Sequence, residues 1–196
     1  DGDGEIIHED SVVAMLAGYY TRRAVAGDDA GDKPVVVTTP NASGRIDQQV
    51  TAAGGRVERV RLGALHEGIA AVDRGAVVFA AEPWKHIHPS FGGWIDGVVS
   101  AALFTGLVAT HGLATLREPI TERPYRKVSI DCPDGFKAAA MTTLESSLPD
   151  AFSEATVSVE HGVRLALPDG SWLLVRPSGT EPYIRFYAES ESVDAL

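Results

Sequence analysis

Short apolar runs and segments with helical spacing alternate along the first part of the chain. VVVTT at 35–39 and AVVFAA at 76–81 are continuous apolar or β-branched runs, as in buried strands. RVERVRL at 56–62 alternates in the manner of a half-buried strand. Apolar residues with helical spacing begin after Asp10 or Ser11, one of which is the predicted N-cap. The same spacing recurs over 43–54, 63–73 and 94–112. Such alternation predicts an α/β/α sandwich around a mostly parallel, mixed sheet.

The pattern changes after residue 115. The segment TLREPITERPYRK contains two prolines and mixed charges, which indicates a linker over 116–126 between domains at 10–115 and 127–196. In the second domain, KVSIDC predicts a strand and 134–148 a helix; strands follow, with a Pro-Asp-Gly turn at 168–170. We therefore expect a small α+β domain whose antiparallel sheet packs on helices.

Composition and charge narrow the classes of function. The chain has 196 residues, 27 acidic against 17 basic, and a formal net charge of −10. An acidic, lysine-poor chain is typical of a high-salt cytoplasm. Without a basic stripe to displace counterions, nucleic acid is not an expected partner. No apolar run reaches the roughly 18 residues of a membrane span, and the single cysteine, Cys132, fits a reducing cytoplasm.

The loop RPSGTEP at 176–182 collects groups that can hold a phosphate. Arginine offers a fork of charge-assisted donors, the hydroxyls add donors, and glycine allows close approach of backbone amides. The two prolines stiffen the loop, so less entropy is lost on binding. The alternative is an ordinary turn whose serine and threonine bind local backbone. The candidate phosphate-binding residues are Arg176, Ser178, Gly179, Thr180 and, on the following strand, Arg185, which can also be a plain exposed strand residue.

The full string RPSGTEPxxRxYxE resembles the phosphate-binding loop of the α-D-phosphohexomutases, which include phosphoglucomutase, phosphomannomutase and phosphoglucosamine mutase. These four-domain enzymes interconvert hexose 1-phosphate and hexose 6-phosphate through a phosphoserine and a bisphosphorylated intermediate. The resemblance covers the metal loop, the third domain and the fourth domain. It implies that the loop grips the substrate phosphate remote from the reacting serine, and it favours phosphoglucomutase or phosphomannomutase over phosphoglucosamine mutase.

The chain opens with DGDGE, in which carboxylates alternate with glycines. Such spacing can turn three oxygens toward one hard cation, most plausibly Mg²⁺. The family has a DGDxDR metal loop in its second domain, so the resemblance makes Asp1, Asp3 and Glu5 metal ligands and makes 1–9 a remnant of that domain. Glu5 replaces an aspartate of the pattern, and Ile6 replaces its arginine. The alternative is a simple acidic turn.

A second loop, AAEPWKHIHPSFGGWIDG at 80–97, follows a buried strand and precedes a helix, where α/β proteins place ligand loops. The family has GExSGH there, and its glutamate and serine bind sugar hydroxyls. The resemblance aligns Glu82 and His86, while Trp84 and Lys85 replace serine and glycine. An indole can stack on a sugar and a lysine can pair with a phosphate. His86 is a candidate substrate contact or catalytic proton shuttle, and His88 is assigned a structural role.

The reaction of the family needs a serine in a TxSHNP-like loop, and no segment here matches it. TTPNASG at 38–44 is only superficially similar, because Ser43 stands at a helix start as an N-cap. We therefore expect the C-terminal part of a longer cytoplasmic mutase, inactive alone, with the N-terminal domains and a hexose phosphate as partners. The rival of another class is a non-catalytic sugar-phosphate binder.

Overall fold

A computed structural model describes residues 1–27, 33–72 and 76–196, and these residues form two units, Asp1–Glu122 and Arg123–Leu196. Within these ranges, no helix combines the length and the apolar character that crossing a bilayer requires. The predicted linker at 116–126 includes the end of one helix and the beginning of a strand. The predicted domain limits remain a prediction.

The first unit contains a mixed sheet in the strand order β2-β1-β3-β4. Strand β1 is parallel to β2 and β3, and β4 is antiparallel to β3. The elements are α1 (Glu9–Ala26), β1 (Val35–Thr38), α2 (Gly44–Ala52), β2 (Arg56–Arg59), α3 (Leu65–Ala71), β3 (Val77–Glu82), β4 (Lys85–Ile87), α4 (Gly97–His111) and α5 (Leu113–Arg117). The predicted helix at 63–73 corresponds to α3, and residue 73 lies outside the described ranges.

Both faces of this sheet are covered, which explains its continuous apolar strands. Val36 and Phe79 pack in one cluster with side chains of α1, α2, α4 and α5. Val35 and Val37 point the other way and pack with Leu65 of α3. The predicted sandwich with a mostly parallel, mixed sheet is therefore confirmed.

Capping residues set where the helices begin. Ser43 accepts a hydrogen bond from the Arg45 amide at 3.1 Å, so its predicted role as N-cap is confirmed. The prediction for α1 was wrong, because His8, not Asp10 or Ser11, is its N-cap. Asp10 is buried instead, and its Oδ1 accepts from the Ser43 amide at 3.2 Å, which ties α1 to the start of α2.

Two sequence expectations around the third strand differ from the structure. The predicted loop after Glu82 contains β4, a three-residue strand paired to β3. The helix predicted from residue 94 begins at Gly97, because Asp96 is its N-cap and accepts from the Val99 amide at 2.9 Å. The first difference arises from pairing between two strands and the second from a local capping bond, and hydrophobic spacing alone records neither.

The second unit contains an antiparallel sheet in the order β5-β9-β8-β7-β6, with α6 on one face. Its elements are β5 (Tyr125–Asp131), α6 (Asp134–Ala151), β6 (Thr156–Ser158), β7 (Val163–Ala166), β8 (Trp172–Pro177) and β9 (Tyr183–Glu189). The predicted turn at 168–170 joins β7 to β8, with Gly170 at φ +82° donating its amide to the Leu167 carbonyl at 3.0 Å. This α+β arrangement confirms the second predicted domain class.

Candidate functional site

Arg176 and Arg185 stand opposite each other on β8 and β9, at the two sides of the RPSGTEP loop. Directly opposed residues of an antiparallel pair project from the same face. Val175 and Ile184 pack in the cluster formed with α6, so the two arginines lie on the other face. Like charges in this position repel each other, and a bound anion would remove the repulsion.

The two arginines have few internal partners for their donors. Arg176 Nη1 reaches the Tyr187 hydroxyl at 3.5 Å, the upper limit for a hydrogen bond. Arg185 forms an ion pair with Glu181 of the loop, and its buried Nε has no hydrogen-bond partner among the described residues. Several guanidinium donors are therefore available to an acceptor on this face.

The loop between these strands is closed by its own hydrogen bonds. The Ser178 amide donates to the Tyr183 carbonyl at 2.9 Å, and the Ser178 hydroxyl accepts from the Glu181 amide at 3.2 Å. Ser178 is buried, whereas Gly179 and Thr180 are exposed at the tip. Of the predicted donors, Ser178 thus shapes the loop, and Gly179 and Thr180 face solvent.

Lys137 supports the loop from α6, a contact that the sequence analysis missed. Its Nζ donates to the Ser178 carbonyl at 2.7 Å and to the Glu181 carbonyl at 2.6 Å, and it pairs with Asp134 Oδ1 at 2.6 Å. The lysine lies 41 residues before Ser178, and no local motif marks it. Its ammonium binds two loop carbonyls and so fixes their orientation.

Gly179 has no structural reason to be glycine. A Cβ placed there meets no atom within 4 Å, and its φ lies outside the left-handed region. Neither packing nor backbone conformation therefore requires a missing side chain. The open position leaves the backbone of Gly179 accessible to an external group.

The second predicted ligand loop, residues 80–97 and called the sugar loop below after its predicted role, begins as a hairpin in which Glu82 pairs with Lys85 across Pro83 and Trp84. Trp84 has φ +67°, in a region that bulky residues avoid, and the residue is 80% exposed. Such a backbone costs about 1–3 kcal/mol and is concentrated at ligand sites. Exposure and backbone strain together favour a ligand contact for this indole.

Glu82 and Lys85 bind each other. Lys85 Nζ lies 2.6 Å from Glu82 Oε1, while Glu82 Oε2 accepts from the Gly63 amide at 3.2 Å. The Glu82 side chain is 7% exposed and that of Lys85 is 52% exposed. Any ligand at this loop would compete with these internal partners, and Lys85, the more exposed of the two, has more room to move.

His86 and His88 both reach the hydroxyl of Ser100. The distances to Ser100 Oγ are 3.1 Å from His86 Nδ1 and 2.8 Å from His88 Nε2. The second nitrogen of His88, Nδ1, lies 2.9 Å from the Tyr20 hydroxyl. Burial, with a smaller effect of the neighbouring His88, lowers the pKa of His86 to about 4, and burial also lowers the pKa of His88. Both rings are thus neutral at pH 7.

The DGDGE turn does not form the predicted magnesium site. Asp1 Oδ1 accepts from the amides of Asp3 at 3.0 Å and of Glu5 at 2.9 Å, while Oδ2 lies 3.9 Å from Arg117 Nη1. Across the described ranges, no three His, Cys, Asp or Glu side chains converge as metal ligands. Asp1 is used by its own turn, so Asp1, Asp3 and Glu5 do not fit a bound cation in this arrangement.

Family models match both units. The model of the phosphoglucomutase/phosphomannomutase alpha/beta/alpha domain III matches residues 8–126, and that of the C-terminal domain matches 129–196. The chain belongs to the phosphoglucomutase/phosphomannomutase family. The resemblance to the later domains of the phosphohexomutases is thereby confirmed.

Members of this family with named activities are similar over the whole chain. A phosphopentomutase from Thermococcus kodakarensis is 42% identical over 196 residues, which cover 97% of this chain and 41% of that protein. A probable phosphoglucosamine mutase from Methanothermobacter thermautotrophicus is 35% identical over 197 residues, with 98% and 42% covered. The chain therefore spans about two fifths of the length of these relatives.

Solved structures of phosphoglucomutase/phosphomannomutase relatives share the fold. A family protein from Burkholderia thailandensis has a TM-score of 0.76 at 19% identity, over 99% of this chain and 40% of that one. The N-acetylphosphoglucosamine mutase of Aspergillus fumigatus, in complex with GlcNAc-6P and magnesium, has a TM-score of 0.66 at 15% identity, over 97% and 44%. At these identities the likeness shows the fold alone.

Proposed function

We propose that this chain is part of a sugar-phosphate mutase that interconverts hexose 1-phosphate and hexose 6-phosphate. In this proposal Arg176, Gly179 and Thr180 bind the phosphate that is not being transferred, with Ser178 shaping the loop and Arg185 as the second cation. The observation that carries it is the pair Arg176 and Arg185, directly opposed beside the loop. In a chain of net charge −10, two facing guanidinium groups need a reason, and a dianion supplies it.

Binding at the remote phosphate serves this reaction through positioning. A phosphoryl group passes from a phosphoserine to the free sugar hydroxyl, which gives a bisphosphate, and the other phosphoryl group then returns to the serine. Because phosphoryl transfer depends chiefly on alignment and electrostatic stabilisation, a loop that holds either end of the bisphosphate allows both orientations to react. The serine belongs to the other domains of the longer protein, so we expect no turnover by this chain alone.

The sugar contacts are assigned to the first unit. Trp84 stacks on the sugar, Glu82 accepts from its hydroxyls, and Lys85 pairs with a phosphate after leaving Glu82. His86, a neutral ring, is placed as a contact to a hydroxyl. Magnesium, found with the Aspergillus enzyme, stays in the proposal as a cofactor of the longer protein. No step is derived through it, because the Asp1, Asp3 and Glu5 carboxylates do not converge.

A pentose phosphate is the second candidate substrate. The phosphopentomutase of Thermococcus kodakarensis is 42% identical to this chain, more than the probable phosphoglucosamine mutase at 35%. The sugar loop also departs from the hexose pattern at Trp84 and Lys85. A bulky indole in place of a small serine leaves less room beside the sugar, which favours the smaller ring.

The proposal is tested by titrating the ¹⁵N-labelled chain with glucose 6-phosphate, glucosamine 6-phosphate, ribose 5-phosphate and inorganic phosphate. We expect the amides of Gly179 and Thr180 to shift with each of them, and Arg176→Ala to weaken binding at least tenfold. Arg126→Ala removes the same charge from exposed β5 of the same unit and is the matched control. A preference between sugars, read from the Trp84 indole resonance, separates pentose from hexose.

Two results would overturn the assignment. One is an Arg176→Ala chain that binds as the unaltered chain does. The other is a set of phosphate-induced shifts that omits residues 178–180. A longer protein that carries this chain, binds sugar phosphate at the loop and has no phosphorylatable serine would favour the non-catalytic binder.

A further inference from the structure

We propose that Ser100 and His88 are positioning residues that hold His86 in the tautomer protonated at Nδ1, so that its bare Nε2 accepts a sugar hydroxyl. This inference deepens the proposed function and rests on it for the identity of the ligand. The inference follows from the hydrogen bonds that the Ser100 hydroxyl forms.

The hydroxyl of Ser100 has a single proton, and that proton has a partner. Ser100 Oγ donates to the carbonyl of Asp96, one helical turn earlier, at 2.8 Å. A hydroxyl oxygen then offers only lone pairs to its other neighbours. Those neighbours are His86 Nδ1 at 3.1 Å and His88 Nε2 at 2.8 Å, so both ring nitrogens must carry hydrogen.

The far side of His88 agrees with this assignment. A neutral imidazole protonated at Nε2 has a lone pair at Nδ1, and the Tyr20 hydroxyl lies 2.9 Å from that atom. Burial raises the pKa of Tyr20, which keeps the phenol protonated and able to donate. The chain of donors therefore runs from Tyr20 to His88 and on to Ser100, whose oxygen uses its two lone pairs to accept from His88 and from His86.

The surroundings of His86 leave Nε2 as its functional atom. Within the described residues, the hydrogen bond recorded for the His86 ring is the one at Nδ1, and the ring is only partly buried. The titratable group that acts on the His86 ring is His88, and the pKa of about 4 keeps His86 neutral at pH 7. A bare nitrogen accepts from a hydroxyl and is repelled by phosphate oxygens, so this subsite selects a sugar hydroxyl.

The ring nitrogens of the ¹⁵N-histidine-labelled chain report the tautomer directly in long-range ¹H–¹⁵N spectra. At pH 7 and without ligand, we expect His86 to be protonated at Nδ1. Ser100→Ala removes the acceptor and should return His86 to a mixture of tautomers, whereas Ser100→Thr keeps the hydroxyl and should restore the Nδ1 form. Thr110→Val is the matched control, because Thr110 makes the same 2.8 Å bond to a carbonyl one turn earlier in α4.

The spectrum of the unaltered chain tests the predicted tautomer of His86 even if Ser100→Ala fails to fold. His86 protonated at Nε2 would overturn the inference, as would an Nδ1 form that survives Ser100→Ala. The failure of the proposed function looks different: His86 would show the Nδ1 form, yet sugar phosphate would shift neither its Nε2 resonance nor the Gly179 amide. Phosphate shifts at Gly179 with His86 protonated at Nε2 would leave the function standing and reject this inference alone.

Discussion

Replacement of Lys137 by methionine should destabilise the second unit by about 2–3 kcal/mol. The side chain of Lys137 is 12% exposed, and its bond to the partly buried Ser178 carbonyl at 2.7 Å is of the charge-assisted kind, worth about 1.5–3 kcal/mol. The bond to the exposed Glu181 carbonyl adds less, because water replaces it. Asp134 is 84% exposed, so its ion pair contributes at most about 1 kcal/mol.

Urea unfolding followed by Trp172 fluorescence measures this loss. Trp172 is buried in β8, and Trp84→Phe with Trp94→Phe removes the signals of the first unit. Lys127→Met is the charge-matched control, since its recorded contact is a ring 5.7 Å away, and we expect it to cost less than about 1 kcal/mol.

Asp134→Asn removes the ion pair of Lys137 and so measures its contribution to the free energy of unfolding separately. We also expect Lys137→Met to weaken phosphate binding, although Lys137 does not touch the ligand, because the loop carbonyls are released. A Lys137→Met chain within about 0.5 kcal/mol of the unaltered chain would refute the reasoning that this lysine holds the loop.

Three further predictions concern single positions. Gly179→Ala should change the unfolding free energy by less than about 0.5 kcal/mol, because its Cβ meets no internal atom, yet weaken phosphate binding in the NMR titration. Trp84→Gly should leave the free energy of unfolding in urea unchanged or raise it by about 1 kcal/mol, because relief of the positive φ offsets the entropy of glycine. Sugar-phosphate binding should weaken. A loss of stability would instead show that the indole has a structural packing role. The neutral His86 ring should contribute about 3 kcal/mol to the free energy of unfolding at pH values above 6.5. This contribution should be lost as the pH falls from 6.5 toward about 4, because the unfolded ring takes up a proton in that range and the folded ring does not. Urea unfolding from pH 7 to 4 measures it, and His86→Asn should remove this part of the slope while the part from His88 remains.

Local sequence patterns predicted the elements whose own residues are apolar enough to be buried. β1 and β3 are continuous apolar runs because helices cover both faces of their sheet, and that burial is visible in the residues themselves. β4 has only three residues and exists through its pairing with β3, so its own sequence carries too weak a signal. The predicted start of α1 was wrong for a similar reason, because the Asp10 side chain binds the amide of Ser43, a residue far along the chain.

The candidate site divides in the same way. The string RPSGTEP was readable as a phosphate-binding loop from residue types and spacing, whereas Glu82 and His86 were assigned through the resemblance to the family's loop. Strand register decided that Arg176 faces Arg185, and the packing of α6 decided that Lys137 holds the loop. Ser100 became a partner of His86 only because α4 lies beside β4.

By itself, the sequence determined which short segments carry donors suited to a phosphate and a sugar, and which runs are apolar enough to be buried. Only the tertiary structure decided which polar groups are free and which already have a partner within the chain, as the Lys85 ammonium has in Glu82 and the Asp1 carboxylate has in the amides of its own turn. The physical reason is that a hydrogen bond depends on distances of about 3 Å between atoms far apart in the chain, and spacing along the sequence does not encode such distances.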